Sequence, residues 1–402
     1  MPLPKMYVSF LVGVITTLCL ASCSSGETGT ARSQPSSGTP SVNLAALDTG
    51  SFATSPRREF GTATKTDISD VESQRMAEFV TLPFEIDPTF TSGGRPIGTI
   101  SGTPRLFVDG AAKGVKVLTD NSILAAFFTT ARRPGFDNNN GPASVTHAVL
   151  RFRDAASART AAQGLLQEEL SRLKGTKPDT PPELPQSFVL WSDTVTEVIT
   201  PHDDYVLMDR FFAPTDQHKA AYGLAIKSLS LQKPLIDKFP KTRPAVNATI
   251  KIDQNKILLY ALESPDASGN GGLAPAVYGP RGTAHVSIGP ARTLQVLTDA
   301  GSTHNAYWLT QVYRAATADK ASTLVAEFGR ILIDAGFAPA DPPKGLPMAK
   351  CFSRDGDIGK GDDCLVQVGR YVGESGDQDA TITRQQISAQ YKILTQADQN
   401  AN

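Results

Sequence analysis

The chain has 402 residues, 40% of them hydrophobic, and its 39 basic residues nearly balance its 40 acidic residues. A chain of this length and hydrophobicity can build more than one buried core, so two domains are expected. The balanced charge argues against a nucleic-acid partner, because binding to a phosphate backbone requires a basic surface.

The first predicted element is a secretory leader at residues 1–22. Lys5 supplies a basic start, and the apolar segment from Tyr7 to Leu20 is shorter than the about 20 residues that cross a bilayer. The sequence Leu-Ala-Ser before Cys23 resembles the lipobox of bacterial lipoproteins. That resemblance implies cleavage before Cys23, acyl chains such as palmitate on the lipidated residue, and an anchor on the extracytoplasmic face of the cell membrane. The alternative is an ordinary signal peptide that is cut nearby.

The segment that follows, residues 23–58, is rich in Ser, Gly, Thr and Pro. Such a composition buries too little apolar surface to offset the entropy lost when a chain is ordered. It predicts a flexible tether between the lipid and the folded part of the protein.

Two similar halves are predicted after the tether, at residues 59–243 (the first half) and 244–402 (the second half). The stretch VKVLTD at 115–120 returns as LQVLTD at 294–299, and each copy is followed by a strand and an Ala-rich helix. The sequence therefore predicts a tandem duplication. Coincidence is the alternative, because the identical run is only four residues long.

Each half is predicted to run strand–helix–strand–strand–helix. Apolar residues recur at helical spacing near 155–173 and 318–335, behind Asp154 and Thr317 as N-caps. In the strand THAVLRF, at 146–152, apolar positions alternate with others, which predicts that one side only is buried. This order of elements predicts an α+β fold of two tandem domains, each a mostly antiparallel sheet with helices packed on one face.

Apart from Cys23, two cysteines follow the leader, Cys351 and Cys364, with a Gly- and Asp-rich segment between them. The oxidising side of a membrane favours a disulfide between them, across a β-hairpin. A metal or redox pair is the alternative, but no Cys-x-x-Cys motif and no nearby histidine supports it.

The lipobox, the two VLTD segments, the stretch RFRDAASARTAAQ and the C-terminal CLVQVGRYVGES resemble a lipoprotein family of mycobacteria and related actinobacteria. That family is built around a domain of unknown function, so the resemblance implies an envelope lipoprotein and carries no catalytic residues. The strand–helix unit is also similar to extracellular sensor domains of mycobacterial kinases, which have more cysteines.

No catalytic motif is found in the sequence: Gly-x-Ser-x-Gly, His-Glu-x-x-His and the Walker loop are all absent. The cluster of His202, Asp203 and Asp204, with His218 further on, is interpreted as a solvated turn, with a metal site as the alternative. His304 is assigned to a strand edge whose aromatic neighbours, Tyr307 and Trp308, lie in the core, with the lining of a pocket as the alternative. Glu168–Glu169 is assigned to a solvated helix face. Asp355–Asp363 resembles half of a calcium loop but lacks the closing glutamate, so a hairpin turn is favoured. No catalytic residue, no metal site and no cofactor is therefore predicted.

The leading functional hypothesis is a lipid-anchored, non-enzymatic envelope protein that binds a partner or ligand. Its expected partners are the membrane, through the lipid, and an envelope protein or a lipid ligand. A solute- or lipid-binding receptor associated with transport is the main alternative, and an envelope hydrolase with a dispersed active site is the third.

Overall fold

Two antiparallel β-sheets, one from each half of the chain, form the framework of the protein. The computed structural model describes residues 42–64, 67–93, 98–99, 112–137, 139, 141–172, 175–242, 250–263, 275–355 and 360–401. The predicted leader, Cys23 and the tether up to residue 41 lie outside the described residues, so lipidation stays a prediction. Within those ranges, no helix has the length and apolar character needed to cross a membrane.

The first half contains five helices and eight strands among its described residues. The helices are α1 (Ile68–Met76), α2 (Pro83–Ile86), α3 (Ala112–Asp120), α4 (Ala155–Arg172) and α5 (His218–Ile236). The strands are β1 (Ser92–Gly93), β2 (Gly98–Thr99), β3 (Ile123–Arg132), β4 (Ser144–Phe152), β5 (Lys177–Asp179), β6 (Phe188–Trp191), β7 (Val195–His202) and β8 (Tyr205–Phe212). They pair in the order β1-β3-β4-β8-β7-β6-β5, and β2 also pairs with β3.

The second half repeats this plan with four helices and seven strands in the described ranges. The helices are α6 (Pro280–Val286), α7 (Pro290–Asp299), α8 (Ala318–Asp334) and α9 (Ala380–Leu394). The strands are β9 (Ala276–Tyr278), β10 (Asn305–Tyr307), β11 (Gln311–Arg314), β12 (Ala338–Ala340), β13 (Lys350–Arg354), β14 (Gly361–Val368) and β15 (Tyr371–Asp377). They pair in the order β12-β13-β14-β15-β11-β10-β9.

The two sheets have the same strand order once the edge strands β1, β2 and β9 are set aside. The order β3-β4-β8-β7-β6-β5 in the first half corresponds to β10-β11-β15-β14-β13-β12 in the second. The register also agrees, because Arg151 pairs with Tyr205 as Arg314 pairs with Tyr371. The two VLTD segments lie in α3 and α7, the helices that come directly before β3 and β10. The shared topology and register support the predicted duplication.

The two helices that the sequence predicted most clearly have the expected ends. Asp154 Oδ1 accepts a hydrogen bond from the N–H of Ser157, and Thr317 Oγ1 accepts one from the N–H of Lys320. Both bonds satisfy backbone donors that the first turn of a helix leaves free.

The α+β fold with two tandem antiparallel sheets is confirmed, but its layering differs from the expectation. Each sheet is covered on both faces, not on one. In β3, Phe127 packs towards α5 while Phe128 packs towards α4, and both are buried. In the second half, α8 covers one face of the sheet and α9 covers the other. Each half is therefore a three-layer unit.

The strand β4 was expected to be half-buried, and it is buried on both sides. Val149, His147 and Arg151 are all 4% exposed or less. The two polar side chains tolerate burial because each has charged partners: His147 contacts Asp209 at 2.7 Å, and Arg151 donates to Glu72 at 2.7 Å.

Residues 42–58 are held against the second half and are not a free tether. Leu47 is buried, and Phe52 packs against the same core. Gln385 of α9 donates to Asp48 at 3.0 Å, and Gln396 donates to the carbonyl of Thr54 at 2.8 Å. The average composition of the predicted tether concealed these few apolar residues, which are enough to fix the segment.

The predicted disulfide is confirmed. Cys351 of β13 lies directly opposite Cys364 of β14, and the two sulfur atoms are bonded. Both cysteines belong to the core that α9 covers, where they pack with Val366 and Ile387.

The two halves share contacts at one side of α6. Glu78, from the first half, accepts hydrogen bonds from the N–H groups of Arg281 and Gly282 at 3.2 and 2.9 Å. Arg281 donates to Glu85 at 2.6 Å, and His285 lies 3.2 Å from the carbonyl of Val80. These bonds tie the start of the second half to the segment that follows α1.

Candidate functional site

A cavity of about 210 Å³ lies in the second half, between the sheet and α8. Its floor is polar and comes from four neighbouring strands: Tyr307 of β10, Gln311 and Tyr313 of β11, Asp363 of β14 and Glu374 of β15. Its walls are mostly apolar and come from α8 and the segment before α7: Phe328, Ile331, Leu332, Val286 and Ile288. We call this cavity the acid pocket.

The acid pocket occupies a position that is solid core in the first half. In the first half, one row of paired residues across the sheet is Ile199, Met208, Ala148 and Phe128, all of which belong to a buried apolar cluster. At the same register, the second half has Leu365, Glu374, Gln311 and Tyr307. Three of these four positions are therefore polar in the second half. Polar side chains are uncommon at core positions unless they have a functional role.

The carboxyl group of Asp363 has also lost the partner that its counterpart keeps. In the first half, Glu197 lies opposite Arg210 on the next strand, and the two form an ion pair at 3.0 Å. Asp363 lies instead opposite Gly376, which has no side chain. A Cβ atom at Gly376 would stand 3.2 Å from Asp363 Oδ2, so the glycine keeps this space open.

The helix above the pocket differs in the same way. In the first half, Glu169 and Arg172 of α4 join the ion-pair network around Arg210. The equivalent positions of α8, counted from the aligned N-caps, are Leu332 and Ala335. Where the first half has a closed network of ion pairs, the second half has two carboxyl groups under the apolar face of α8.

Hydrogen bonds hold the floor of the pocket in a definite arrangement. The hydroxyl of Tyr313 donates to Glu374 Oε2 at 2.5 Å, and the hydroxyl of Tyr307 lies 3.3 Å from that of Tyr313. Asp363 Oδ1 is shielded from solvent and has no hydrogen-bond partner among the described residues. An unsatisfied buried acceptor of this kind costs about 1–3 kcal/mol, so it calls for an explanation.

The two carboxyl groups are diagonal neighbours across β14 and β15, because Asp363 pairs with Gly376 and Leu365 pairs with Glu374. Burial, together with the charge of Glu374, raises the pKa of Asp363 well above its usual range. Burial also raises the pKa of Glu374, although the hydrogen bond from Tyr313 opposes that change. The pair therefore tends to hold a proton that a bound cation could replace.

A second polar cluster, in the first half, contains the residue types of a hydrolase triad but not its geometry. Ser228 donates to Asp209 Oδ1 at 2.9 Å, and His147 Nδ1 contacts the same oxygen at 2.7 Å. His147 Nε2 faces Gln232 at 2.8 Å instead of the serine. All four side chains are 1% exposed or less, so a substrate has no access to them.

The residues singled out in the sequence lie outside the acid pocket, apart from Asp363 and Tyr307. His202 Nε2 contacts Asp237 at 2.6 Å, and together with Asp203 these side chains form the one metal-competent cluster among the described residues, at the surface. Asp204 pairs with Lys241 at 2.7 Å, and the ring of His218 stacks on Trp191.

The remaining sequence candidates are also accounted for in the described ranges. His304 Nδ1 accepts a hydrogen bond from Asn255 Nδ2 at 2.7 Å, and His304 lines a different, more open cavity of about 660 Å³. In that cavity, Lys256 pairs with Glu59, and Asp253 accepts three backbone N–H bonds. Glu168 and Glu169 are both buried, not solvated, and Glu169 belongs to the ion-pair network around Arg210. Part of the predicted calcium-like loop, residues 356–359, lies outside the described residues.

Glu374, Tyr313 and Gln311 were not identified from the sequence. Gly376 is equivalent to Arg210, and Glu374 to Met208, through strand pairing, because Arg151 pairs with Tyr205 as Arg314 pairs with Tyr371. An ungapped sequence alignment on the two arginines would instead match Arg210 with Gly373. The alignment on VLTD does not reach these strands, because the loops between them differ in length.

Comparisons with known proteins give a family but no activity. The chain matches the model described as domain of unknown function (DUF7373) N-terminal at residues 59–252, and the C-terminal model of the same name at residues 261–397. Among solved structures, it is similar to the extracellular domain of PknH from Mycobacterium tuberculosis, with 13% identity and a TM-score of 0.27, over 40% of this chain and 96% of that one. It is also similar to TP0453, with 7% identity and a TM-score of 0.23, over 78% of this chain and 98% of that one.

Both structural likenesses are too weak to bear on function, and no curated protein matches the chain. The two family models, in contrast, together match well over half of the sequence. The chain therefore belongs to the DUF7373 family and carries its N-terminal and C-terminal domains in tandem.

Proposed function

We propose that the protein is a lipid-anchored, extracytoplasmic binding protein without catalytic activity, and that the acid pocket is its ligand site. One observation carries this proposal: a row of core positions in the first half becomes Glu374, Gln311 and Tyr307 in the second, around a cavity. Polar groups at core positions destabilise a fold, so a binding role is the simplest reason for them.

The pocket favours a small solute over a lipid. Drug-sized ligands occupy pockets of about 300–1,000 Å³, and the acid pocket, at about 210 Å³, lies below that range. Its polar floor also suits a group that forms hydrogen bonds. A receptor that passes a small solute to a transport system fits this site as well, whereas a receptor for a whole lipid does not.

The site can be tested by native mass spectrometry on the full-length protein purified from its own host. We expect the wild-type chain to retain a small-molecule mass that the variant Gly376→Arg has lost. The introduced guanidinium should fill the pocket and pair with Asp363, as Arg210 pairs with Glu197 in the first half. Equal masses for both proteins, after correction for the substitution, would count against a ligand in this pocket.

The proposal of a lipid anchor is based on the sequence before Cys23 and needs its own test. The variant Cys23→Ala should lose metabolic labelling by a palmitate analogue and leave the membrane fraction, because the thiol is the group that receives the lipid. Labelled, membrane-bound variant protein would rule out the lipoprotein assignment.

A further inference from the structure

We infer that the acid pocket binds a small organic cation, an ammonium group with an apolar substituent, between the carboxyl groups of Asp363 and Glu374. This inference rests on the proposed function and specifies the class of ligand. Three independent properties of the pocket lead to it: its charge, its walls and its comparison with the first half.

The charge of the floor calls for a cation. Asp363 and Glu374 lie on the same face of neighbouring strands, and no Lys, Arg or His among the described residues forms an ion pair with either of them. The titratable groups that face the pair are Tyr307 and Tyr313, from β10 and β11. The segment Val286–Ile288, α7 and α8 contribute no titratable group to the lining. Asp363 Oδ1, which has no partner, is the acceptor that an ammonium N–H would satisfy.

The walls favour an organic cation over a metal ion. Ca²⁺ takes about six to eight oxygen ligands, and Mg²⁺ retains several waters in octahedral geometry. The roof of the acid pocket consists of Phe328, Ile331 and Leu332, whose side chains offer no oxygen ligand. Aromatic rings and apolar side chains beside carboxylates are instead the surroundings in which organic ammonium groups are recognised.

The first half shows what a built-in cation does at this position. There the carboxyl group of Glu197 forms an ion pair with the guanidinium of Arg210, a residue of the same chain. The second half keeps the acid as Asp363 and replaces the arginine by Gly376. Asp363 therefore lies beside the space that a guanidinium group fills in the first half. A cation from solution is the ligand that would complete the ion pair.

Isothermal titration calorimetry on the purified protein can test this class of ligand with four probes. Benzylamine carries an ammonium group and an aromatic ring, benzyl alcohol has a similar shape without charge, benzoate is the anion, and Ca²⁺ represents metal ions. We expect benzylamine to bind with one-to-one stoichiometry and at least about tenfold more tightly than the other three probes. Binding of benzyl alcohol, benzoate or Ca²⁺ at equal or higher affinity would overturn the inference.

Substitutions assign the binding to the two acids. Asp363→Asn and Glu374→Gln keep the shape of the side chains and should each weaken benzylamine binding by at least about tenfold. Asp319→Asn, an exposed acid at the start of α8, is the matched control and should leave the affinity unchanged. Gly376→Arg should abolish binding, and unchanged circular dichroism shows that each variant is folded. Unaltered affinity in both amide variants would place the cation elsewhere and refute the site.

The pH dependence has a definite sign. Burial raises the pKa values of Asp363 and Glu374, so an ammonium ion must displace a proton from the pair. Benzylamine affinity should therefore rise from about pH 5 to about pH 8, a range in which the amine stays charged. Titrations in buffers with different ionisation enthalpies should detect the released proton. An affinity that falls over this range contradicts the inference.

The tests separate the two levels of the proposal. If benzyl alcohol binds as tightly as benzylamine, the pocket remains a binding site and only the cationic class is wrong. If no probe binds and the protein from its own host carries no mass that Gly376→Arg removes, the proposed function itself fails.

Discussion

Replacing His147 by threonine is expected to lower the free energy of unfolding by about 3–5 kcal/mol, because it leaves the buried carboxylate of Asp209 without its charged partner. Gln232 Nε2 donates to the carbonyl of Phe79. This fixes the orientation of the amide group, so Gln232 Oε1 accepts from the N–H of Thr81 and also contacts His147 Nε2. When Asp209 is ionised, the imidazole donates from both nitrogen atoms, which makes it a cation. Urea unfolding, followed by circular dichroism, measures the loss.

The second half supplies the control for this prediction. At the positions equivalent to His147 and Asp209 it has Thr310 and Ser375, and Thr310 donates to Gln390 as His147 contacts Gln232. The double variant His147→Thr, Asp209→Ser removes both charges together, so it should be more stable than either single variant. A double variant whose loss equals the sum of the two single losses would show that the pair is not coupled.

The same pair predicts a dependence on pH. Burial lowers the pKa of His147, but the charge of Asp209 and the hydrogen bonds outweigh that effect, so the net change is upward. A pKa raised on folding gives stability that is complete below the unfolded value of about 6.5 and is lost as the pH rises through the folded value. The difference in free energy of unfolding between the wild type and the double variant should therefore decrease with increasing pH.

Removing the disulfide by Cys351→Ser and Cys364→Ser is expected to destabilise the second half by about 3 kcal/mol, because the bond closes a loop with a sequence separation of 13. Both cysteines lie in the core under α9, so the loss should be largest there. Hydrogen exchange by mass spectrometry can locate it: amides of β13, β14 and α9 should exchange faster, while those of β4 and β8 keep their protection.

Two outcomes would contradict this second prediction. Two free thiols in protein purified without reductant would mean that the bond does not form. Equal loss of protection in β4 and β14 would mean that the two halves unfold as one unit, through the contacts that join Glu78 and Glu85 to α6.

The sequence predicted the features that depend on local patterns. The helices α4 and α8 follow from apolar spacing and N-caps, and the disulfide follows from two cysteines in a hairpin. The layering was wrong because a strand buried on both faces, such as β3, has no alternation that reveals a second layer of helices. His147 and Arg151 were read as the polar side of β4, since their partners Asp209 and Glu72 lie 62 and 79 residues away.

The acid pocket could be anticipated only in part. Asp363 and Tyr307 were noticed for their neighbours along the chain, as a turn residue and an aromatic residue at a strand edge. What makes them a site is register: Asp363 is opposite Gly376, and Tyr307 is opposite Gln311. A shift of one residue in pairing would turn these side chains to the other face of the sheet, so the site depends on a property that no single segment specifies.

The attachment of residues 42–58 to α9 has a consequence for the order of folding. The bonds from Gln385 to Asp48 and from Gln396 to Thr54 join residues 337 and 342 positions apart, so they close almost the whole chain. Contacts of such long range bring the largest loss of chain entropy and form after the local ones. The core around Leu47 must therefore wait until α9, the last helix described, is available to pack against it. Until then the apolar residues of this segment lack their packing partners, so the docking of α9 completes the core that includes Leu47.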